Sequence, residues 1–416
     1  MESHLDYGPT LEFADTLYNY IPTSSETREI HGFCRWNIAW RNSSNVDKFS
    51  LLCNHHLNEN RLHSWISTVV SGNVKELQLS LRQKRPLFIP LSLFTCESLI
   101  SLNLITHPDV RLPKYISFPR LKRLALYGFE FSDESWNEEL FSNSPVLEEL
   151  ILRSCTYNMR NFCISIPTLK HLEIGTWRDK ENGFRDRVFE IDAPRLVTFS
   201  YYGYGAKEFV LSNFLALDQA TVYFNYQNKV GAQATSRLLR ALAHVKCLTV
   251  YNQTLKAICS SYDLPTFHGV KVLKISDSIT TDEGLIALVK AVPNLESVVF
   301  VQYMYDNEEV DVADAVKSDS NDSGEDKHDK EDDSWALDCM TTGCLFPHLK
   351  SVCFQWFVGN PREMRWVKLI LRNAKALQLR TIRYHASFCF RFIDVKSEEK
   401  LRIEMPSFPR ASRQVV

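Results

Sequence analysis

Hydrophobic residues recur along this chain in a fixed order, Leu-x-x-Leu-x-Leu, in which another apolar residue often replaces a leucine. Eleven copies start 21 to 28 residues apart, except for a final interval of 54 residues. In each copy the last two apolar positions enclose a single residue, an alternation that predicts a short strand with one buried face. The copies start at Val74, Leu99, Leu121, Leu147, Leu169, Leu196, Leu217, Val245, Val270, Leu295 and Leu349.

Proline or polar residues precede many of these strands, as at Pro119 and Pro145. Proline is tolerated at the first position of a strand, so we place these prolines there. Capping residues and apolar spacing predict return helices within residues 132–141, 232–244 and 280–289.

A period of 20 to 29 residues with this signature is typical of leucine-rich repeats. Such units bury a core only when they stack on one another. The sequence therefore predicts an α/β leucine-rich-repeat solenoid, which is a curved parallel sheet with helical or irregular returns. A structure of this kind presents a surface to a partner and does not enclose a reaction.

The pattern divides the chain into five segments. We expect an N-terminal segment (1–45), the leucine-rich repeats (46–302), an acidic insertion (303–335), a last repeat with a C-terminal cap (336–390) and a tail (391–416).

The acidic insertion accounts for the long final interval. From Asp306 to Asp333 there are thirteen Asp or Glu residues against three Lys residues, a local charge of −10. With so few apolar residues the segment cannot bury enough surface to order itself, so we expect a disordered loop. A solvated spacer is one interpretation. The other is a regulatory segment in which Ser323, followed by Gly324-Glu325-Asp326, is a phosphorylation site for an acidophilic kinase.

The predicted cap consists of a helix and a strand. Pro361 suits the first position of a helix, and Met364, Val367 and Leu371 would form its apolar stripe. Residues 377–384 alternate as a strand that would close the C-terminal end of the sheet.

Composition narrows the choice of partner and compartment. The net charge is −2, which gives no general argument for nucleic acid or for an anionic membrane as a partner. No run reaches the roughly 18 apolar residues of a membrane span, and we see no secretory signal. The eleven cysteines are scattered, which favours a reducing compartment, the cytoplasm or the nucleus.

No motif indicates catalysis, a cofactor or a metal, so we expect a protein that is not an enzyme. Glycine-rich phosphate loops and nucleophile elbows are absent from the sequence. Residues 319–324 imitate the start of a calcium loop, but Lys330 occupies the position of the required bidentate Glu. Cys339, Cys344 and His348 lack the spacing of a zinc site.

The residues between the leucines of each strand project away from the core, onto the concave face of the predicted solenoid. These positions carry charges of both signs, as a surface that binds a protein would. The candidate partner-binding residues are Arg123, Glu149, His171, Glu173 and Lys274.

Three stretches resemble a known family, the plant F-box proteins that carry leucine-rich repeats and a C-terminal FBD domain. Residues 65–79 are similar to the first helix and strand of that family, and residues 141–155 to its most characteristic repeat. Residues 346–371 are similar to its FBD region. The resemblance implies the substrate-recognition part of a cullin-type ubiquitin ligase receptor, whose partner is a target protein of unknown identity.

Members of this family begin with an F-box, a three-helix module that docks on a Skp-type adaptor. We recognise no such pattern in residues 1–45, and Leu11-Glu12-Phe13-Ala14-Asp15 resembles the segment that normally follows the F-box. We therefore expect binding to a Skp-type adaptor only if another docking segment exists. The alternative is an uncoupled repeat protein without ligase association, which competes for targets or has no retained role.

Overall fold

The computed structural model divides the chain into two compact units, residues 1–216 and 217–416. They are described separately. The described residues are 10–14, 47–53, 59–81, 89–132, 140–141, 143–159, 161–176, 188–203, 206–212, 214–224, 236–259, 264–276, 282–301, 345–357, 359 and 361–384.

The first unit is built on a ladder of parallel strands in the order β1-β2-β3-β4-β5-β6-β9-β11, with β7 paired to the end of β5. Two described helices, α1 (Glu59–Ser71) and α2 (Leu91–Phe94), belong to its returns. The strands are β1 (Thr10–Ala14), β2 (Lys48–Cys53), β3 (Glu76–Leu81), β4 (Ser101–Arg111), β5 (Arg123–Ser132), β6 (Glu149–Arg153), β7 (Thr156–Asn158), β9 (His171–Gly175) and β11 (Thr198–Gly203).

The register of this ladder aligns the repeated leucines. Leu77 pairs with Leu102, which pairs with Leu124, and the next row begins two residues later at Leu79. Side chains of both rows are at most 2% exposed. The rows bury one face of the sheet, because alternate side chains of a strand point to the same side.

A second, three-stranded parallel sheet lies in the returns of the first unit, and the sequence analysis missed it. Its order is β12-β10-β8, with β8 at Asn161–Ser165, β10 at Val188–Asp192 and β12 at Glu208–Ser212. Phe162, Phe189 and Phe209 are in register across it, and their ring centroids are 5.1 and 5.6 Å apart. Such aromatic pairs stabilise by about 0.5 to 1.5 kcal/mol beyond their buried area.

The second unit is built from the same kind of repeat, with more helical returns. Its strands are all parallel, in the order β13-β14-β15-β16-β17-β18. The strands are β13 (Gln219–Phe224), β14 (Cys247–Tyr251), β15 (Val272–Ser276), β16 (Ser297–Val301), β17 (Ser351–Phe357) and β18 (Leu379–Tyr384). The helices are α3 (Asn252–Cys259), α4 (Asp282–Ala291) and α5 (Pro361–Asn373), and residues 236–241 are also helical.

Within each unit, successive repeats are joined by one carbonyl that accepts two amide hydrogens. The carbonyl of Lys75, just before β3, accepts from the amides of Ile100 and Ser101, which open β4. This double-acceptor joint recurs in both units with N–O distances of 2.7 to 3.1 Å. The accepting residues are Asp47, Lys75, Ile100, Lys122, Glu148, Lys170, Asp218, Lys246, Lys271, Glu296 and Lys350.

The prolines do not open the strands, and our placement of them was wrong. Pro119 follows Phe118, whose carbonyl accepts from the amide of Leu121, and β5 begins only at Arg123. Proline is therefore the second residue of a turn, a position that its fixed φ favours. The same turn hydrogen bond is made by Leu147, Leu169 and Leu196, and these leucines point into the core, since each of them, like Leu121, is 0% exposed.

The C-terminal cap forms as predicted. Helix α5 buries Trp366, whose indole Nε1 donates to Oδ1 of Asp282 at 2.8 Å in the first turn of α4. Oδ2 of the same carboxylate lies 3.3 Å from Nε of Arg362 and 3.9 Å from Nη2 of Arg365. Strand β18 then closes the described ladder beside β17.

The parallel ladder with buried leucine rows confirms the predicted α/β leucine-rich-repeat fold. Helical residues 236–241 lie inside the predicted span 232–244, and α4 (Asp282–Ala291) overlaps the predicted span 280–289 and extends two residues beyond it. Of the predicted helix at 132–141, residues 133–139 lie outside the described residues, as does the whole acidic insertion. None of the helices in the described part of the chain is long and apolar enough to cross a bilayer.

Candidate functional site

The side chains of the first unit that point away from the leucine rows form one continuous surface. We call the outward side chains of β2, β3, β4, β5, β6, β9 and β11 the charged face. The register places them in three rows. The first row contains Lys48, Glu76, Ser101, Arg123, Glu149, His171 and Thr198.

Neighbouring strands of the charged face are linked by ion pairs. Nε of Arg123 donates to Oε2 of Glu149 at 2.9 Å, across β5 and β6. Nζ of Lys48 lies 4.0 Å from Oε2 of Glu76, across β2 and β3. All four side chains are partly exposed, and exposed ion pairs stabilise a fold by about 0 to 1 kcal/mol. Their main effect is to hold the charged groups in place.

A stronger pair lies one step further along the surface. Nη2 of Arg153 donates to Oε2 of Glu173 at 2.9 Å, and its Nε donates to the other carboxylate oxygen, so the pair is bidentate. Burial alone would lower the pKa of Arg153, but the hydrogen bond and charge of Glu173 raise it overall. The guanidinium carbon also lies 5.9 Å from the centre of the Tyr202 ring, within reach of a cation–π interaction.

Polar and aromatic groups complete the charged face. Nδ1 of His171 lies 2.7 Å from Oγ1 of Thr198, at hydrogen-bonding distance. Tyr127 is in register with Arg153 and is half-buried, and this burial raises the pKa of its phenol. The face therefore offers hydrogen-bond donors, acceptors and an aromatic ring at fixed positions, all of which suit contact with a protein.

The charged face brings together four of the five candidate residues. Arg123, Glu149 and His171 occupy one register row, and Glu173 lies in the next row. Lys274 belongs to the second unit, where it is half-buried on β15. Whether these residues bind a partner stays a prediction.

The sequence analysis missed the third outward row, which contains Tyr127, Arg153 and Tyr202. It considered only residues between the leucines, although each strand continues for at least one residue after the last leucine. The signal was available in Leu150-Ile151-Leu152-Arg153, where the alternation extends to the arginine. What the sequence could not show was the cross-strand pairing of Arg153 with Glu173, twenty residues away.

Other predicted chemistry falls partly outside the described residues. Ser323, Cys339 and Cys344 lie in the stretch that the structure does not describe. Within the described ranges, no group of three or more His, Cys, Asp or Glu residues could hold a metal ion. Among the cysteines whose side chains are described, those at positions 96, 155, 163, 247 and 353 are free thiols.

Two family models match the chain. The larger, described as the At1g61320/AtMIF1 LRR domain, matches residues 42–332, which is more than half of the chain. The second, described as FBD, matches residues 341–382 and includes helix α5 and most of β18. The FBD model thus covers the C-terminal cap that the sequence predicted.

Curated relatives come from Arabidopsis thaliana. The FBD-associated F-box protein At4g10400 is 24% identical over 90% of this chain and 82% of its own length. The F-box/LRR-repeat protein At4g14096 is 26% identical over 71% of this chain, which spans 64% of that relative. The FBD-associated F-box protein At4g13985 is 28% identical over 70% of this chain and 67% of its own length. The chain therefore belongs to the plant leucine-rich-repeat family of the At1g61320/AtMIF1 type, with an FBD domain at its C-terminal end.

Proposed function

We propose that this chain is a protein-binding module that holds a target protein on its leucine-rich-repeat sheet. The observation that carries the proposal is the charged face of the first unit, with its bidentate pair Arg153–Glu173 and the pair Arg123–Glu149. Side chains already held by a neighbour lose less conformational entropy when a partner binds, so they favour affinity. A catalytic role has no comparable support, since no nucleophile and base converge among the described residues.

The family supports a finer proposal, that the module recognises substrates for a cullin-type ubiquitin ligase. The relatives at 24% to 28% identity are named as F-box proteins. In that case a Skp-type adaptor would connect the bound target to the ligase. The free thiols suit the reducing cytoplasm or nucleus, where such a ligase acts.

The competing proposal is a repeat module without ligase association, which competes for targets or has no retained role. Under this proposal, the chain should bind a specific target protein but no Skp-type adaptor. The division into segments 1–45, 46–302, 303–335, 336–390 and 391–416 stays a prediction under both proposals. So does the phosphorylation of Ser323.

The test is a quantitative pull-down from plant extract with the full tagged chain and two variants. The first variant, Arg123→Glu with Arg153→Glu, reverses two charges on the charged face. The matched control, Arg120→Glu with Arg195→Glu, makes the same change at exposed turn positions of the same unit. We expect a specific protein to be lost only with the face variant, while circular dichroism shows that all three chains are folded.

The adaptor is scored in the same samples. A Skp-type adaptor that co-purifies with all three chains supports the receptor proposal, because the face variant then loses the target and keeps the ligase. A target without an adaptor supports the uncoupled module. If both variants retain the same proteins as the unaltered chain, the charged face does not bind the target and our proposal is wrong.

A further inference from the structure

The outward surface of the second unit differs in chemistry from the charged face. We call the outward side chains of β13, β14, β15, β16 and β17 the neutral face. Each strand contributes three of them, and Lys274 is the one charged side chain among the fifteen. The others are Gln219, Thr221, Tyr223, Cys247, Thr249, Tyr251, Val272, Ser276, Ser297, Val299, Val301, Ser351, Cys353 and Gln355.

Lys274 lies near the middle of this surface. Its register neighbours are Thr249 on β14 and Val299 on β16, and Val272 and Ser276 flank it on its own strand. The side chain is half-buried. Among the described residues, no carboxylate forms a salt bridge with it. Burial raises the pKa of the half-buried Cys247 thiol, and the nearby positive charge of Lys274 partly offsets this rise.

The contrast with the charged face is specific. There, Lys48, Arg123 and Arg153 each have a carboxylate within 4.0 Å on a neighbouring strand. The register neighbours of Lys274, Thr249 and Val299, carry no charge and cannot neutralise its ammonium group. Covering such an ammonium group with a partner removes water from it, which is costly unless the partner supplies an opposite charge and a hydrogen bond.

The surroundings of Lys274 determine what else the partner must present. Val272, Val299 and Val301 are half-buried aliphatic side chains, and the rings of Tyr223 and Tyr251 pack edge to face at 5.4 Å. Apolar side chains of a partner would bury this surface favourably, whereas additional charges would meet no counterpart.

We propose that the neutral face binds a protein segment that carries one carboxylate, placed against Lys274, between apolar side chains. This inference deepens the proposed function, because it rests on the chain being a protein-binding module and specifies the chemistry of the bound segment. A carboxylate matches one ammonium group charge for charge. A phosphate group, with a charge near −2 and three acceptor oxygens, would need more donors than Lys274 provides.

The test uses a display library of random twelve-residue peptides, selected on the immobilised full chain. We expect selected peptides to share one central Asp or Glu between apolar residues. Each is then synthesised with Glu or Gln at that position and titrated by fluorescence anisotropy. Lys274→Met should weaken binding of the Glu peptide tenfold or more, which is the usual effect of losing a charge-assisted hydrogen bond, and should leave the Gln peptide nearly unchanged.

Charge reversal provides the sharper result. Selection on Lys274→Glu should return peptides with a central Lys or Arg, and Lys274→Arg should retain the acidic preference. The matched control is Lys290→Glu, which makes the same change at an exposed position on α4, away from the neutral face. It should bind the original peptides as the unaltered chain does, and thermal unfolding should show that each variant is folded.

Three outcomes would overturn the inference: no peptide selected on the unaltered chain, selected peptides without a central acid, or equal binding to the Lys274→Met variant. Their meaning is separate from that of the pull-down. A target that is lost with the charged-face variant upholds the proposed function even when the peptides contradict the role of Lys274. Conversely, peptides that follow the charge at position 274 uphold the neutral face whatever the charged-face variant does.

Discussion

At the scale of single residues, close contact between the ends of neighbouring strands leaves little room for substitution. Gly203 ends β11 with a φ of +154°, a conformation that residues with a Cβ atom rarely adopt. A Cβ atom there would also collide with Oγ1 of Thr176, which is 2% exposed and cannot move aside easily.

We expect Gly203→Ala to lower the free energy of unfolding by about 2 to 4 kcal/mol, the sum of backbone strain and overpacking. Urea unfolding followed by circular dichroism measures it. Gly72→Ala is the control, because a Cβ atom there would lie 3.4 Å from its nearest neighbours, and it should change stability by about 1 kcal/mol or less. Equal effects of the two substitutions would contradict the geometry at Gly203.

The buried thiol of Cys155 should make the folded state less stable at alkaline pH. Cys155 is fully buried, its thiol donates to the carbonyl of Arg153 at 3.2 Å, and burial raises its pKa from 9.0 to about 12. Between these values the unfolded chain has lost the thiol proton and the folded chain has kept it. The contribution is therefore fully present below pH 9 and is lost as the pH rises toward 12.

Cys155→Ala tests this directly. At pH 6 to 8 the variant should be less stable than the unaltered chain by a constant amount, because it leaves a small cavity. Above pH 9 the difference should narrow by up to about 1.4 kcal/mol per pH unit, the effect of one proton. Urea unfolding at pH 7, 9 and 10 measures it, and a difference that stays constant to pH 10 would rule out the burial effect.

At the scale of elements, one carboxylate connects the C-terminal cap to the preceding repeat. Asp282 lies in the first turn of α4, where a negative charge is favourable, and accepts the indole hydrogen of the buried Trp366 from α5. Removing it would leave that donor buried without its acceptor.

We expect Asp282→Ala to destabilise the chain by about 1.5 to 3 kcal/mol. The neighbouring Glu283→Ala removes an exposed charge from the same helix turn and should cost about 1 kcal/mol or less. A double-mutant cycle of Asp282→Ala with Trp366→Phe, measured by urea unfolding, should show a coupling of at least about 0.5 kcal/mol. Additive effects would mean that the 2.8 Å hydrogen bond contributes nothing.

The elements also show how far sequence reasoning extends. The spacing of leucines predicts the ladder strands from β3 to β17, because a core position such as Leu150 tolerates little else. Strands β1 and β2 precede the first copy of the pattern at Val74 and were not predicted. The strands of the second sheet do not carry the leucine pattern, so it could not predict them. Their buried pairs, such as Phe162 with Ile164, are too short to separate from an ordinary return segment. Their pairing depends on returns that are adjacent only in the fold.

The candidate site, too, could be predicted from the sequence only in part. Outward positions follow from strand alternation, so Arg123, Glu149, His171 and Glu173 could be named from the sequence. The aligned leucines place Arg123 beside Glu149, but which side chains form ion pairs depends on their conformations, and these the sequence does not specify. The isolation of Lys274 is likewise a property of neighbouring strands and not of its own segment.

At the scale of the whole molecule, the acidic insertion is the largest departure from the repeat. Its residues lie outside the described part of the chain, and the prediction of a disordered loop rests on composition. Deleting residues 303–335 should leave the melting temperature unchanged or raise it by about 4 °C at most, because shortening a loop reduces its closure entropy. Differential scanning calorimetry measures it.

The control for this deletion replaces residues 303–335 with a Gly-Ser linker of equal length, which removes the charge of the segment and keeps its length. Both chains should melt close to the unaltered one. A fall of more than about 2 °C in either variant would show that the insertion makes stabilising contacts.

The double-acceptor joint has a consequence for how such a chain can change over generations. The carbonyl of Glu296 receives the amides of Lys350 and Ser351 across 54 residues of sequence, at distances of 2.8 and 3.1 Å. The carbonyl of Glu148 receives those of Lys170 and His171 across 22, at 2.8 and 3.0 Å. The way one repeat packs on the next therefore does not depend on the length of chain between them. Genetic insertions can accumulate in the returns while the next strand still pairs in register, so new segments can be acquired without altering the outward surface of the sheet.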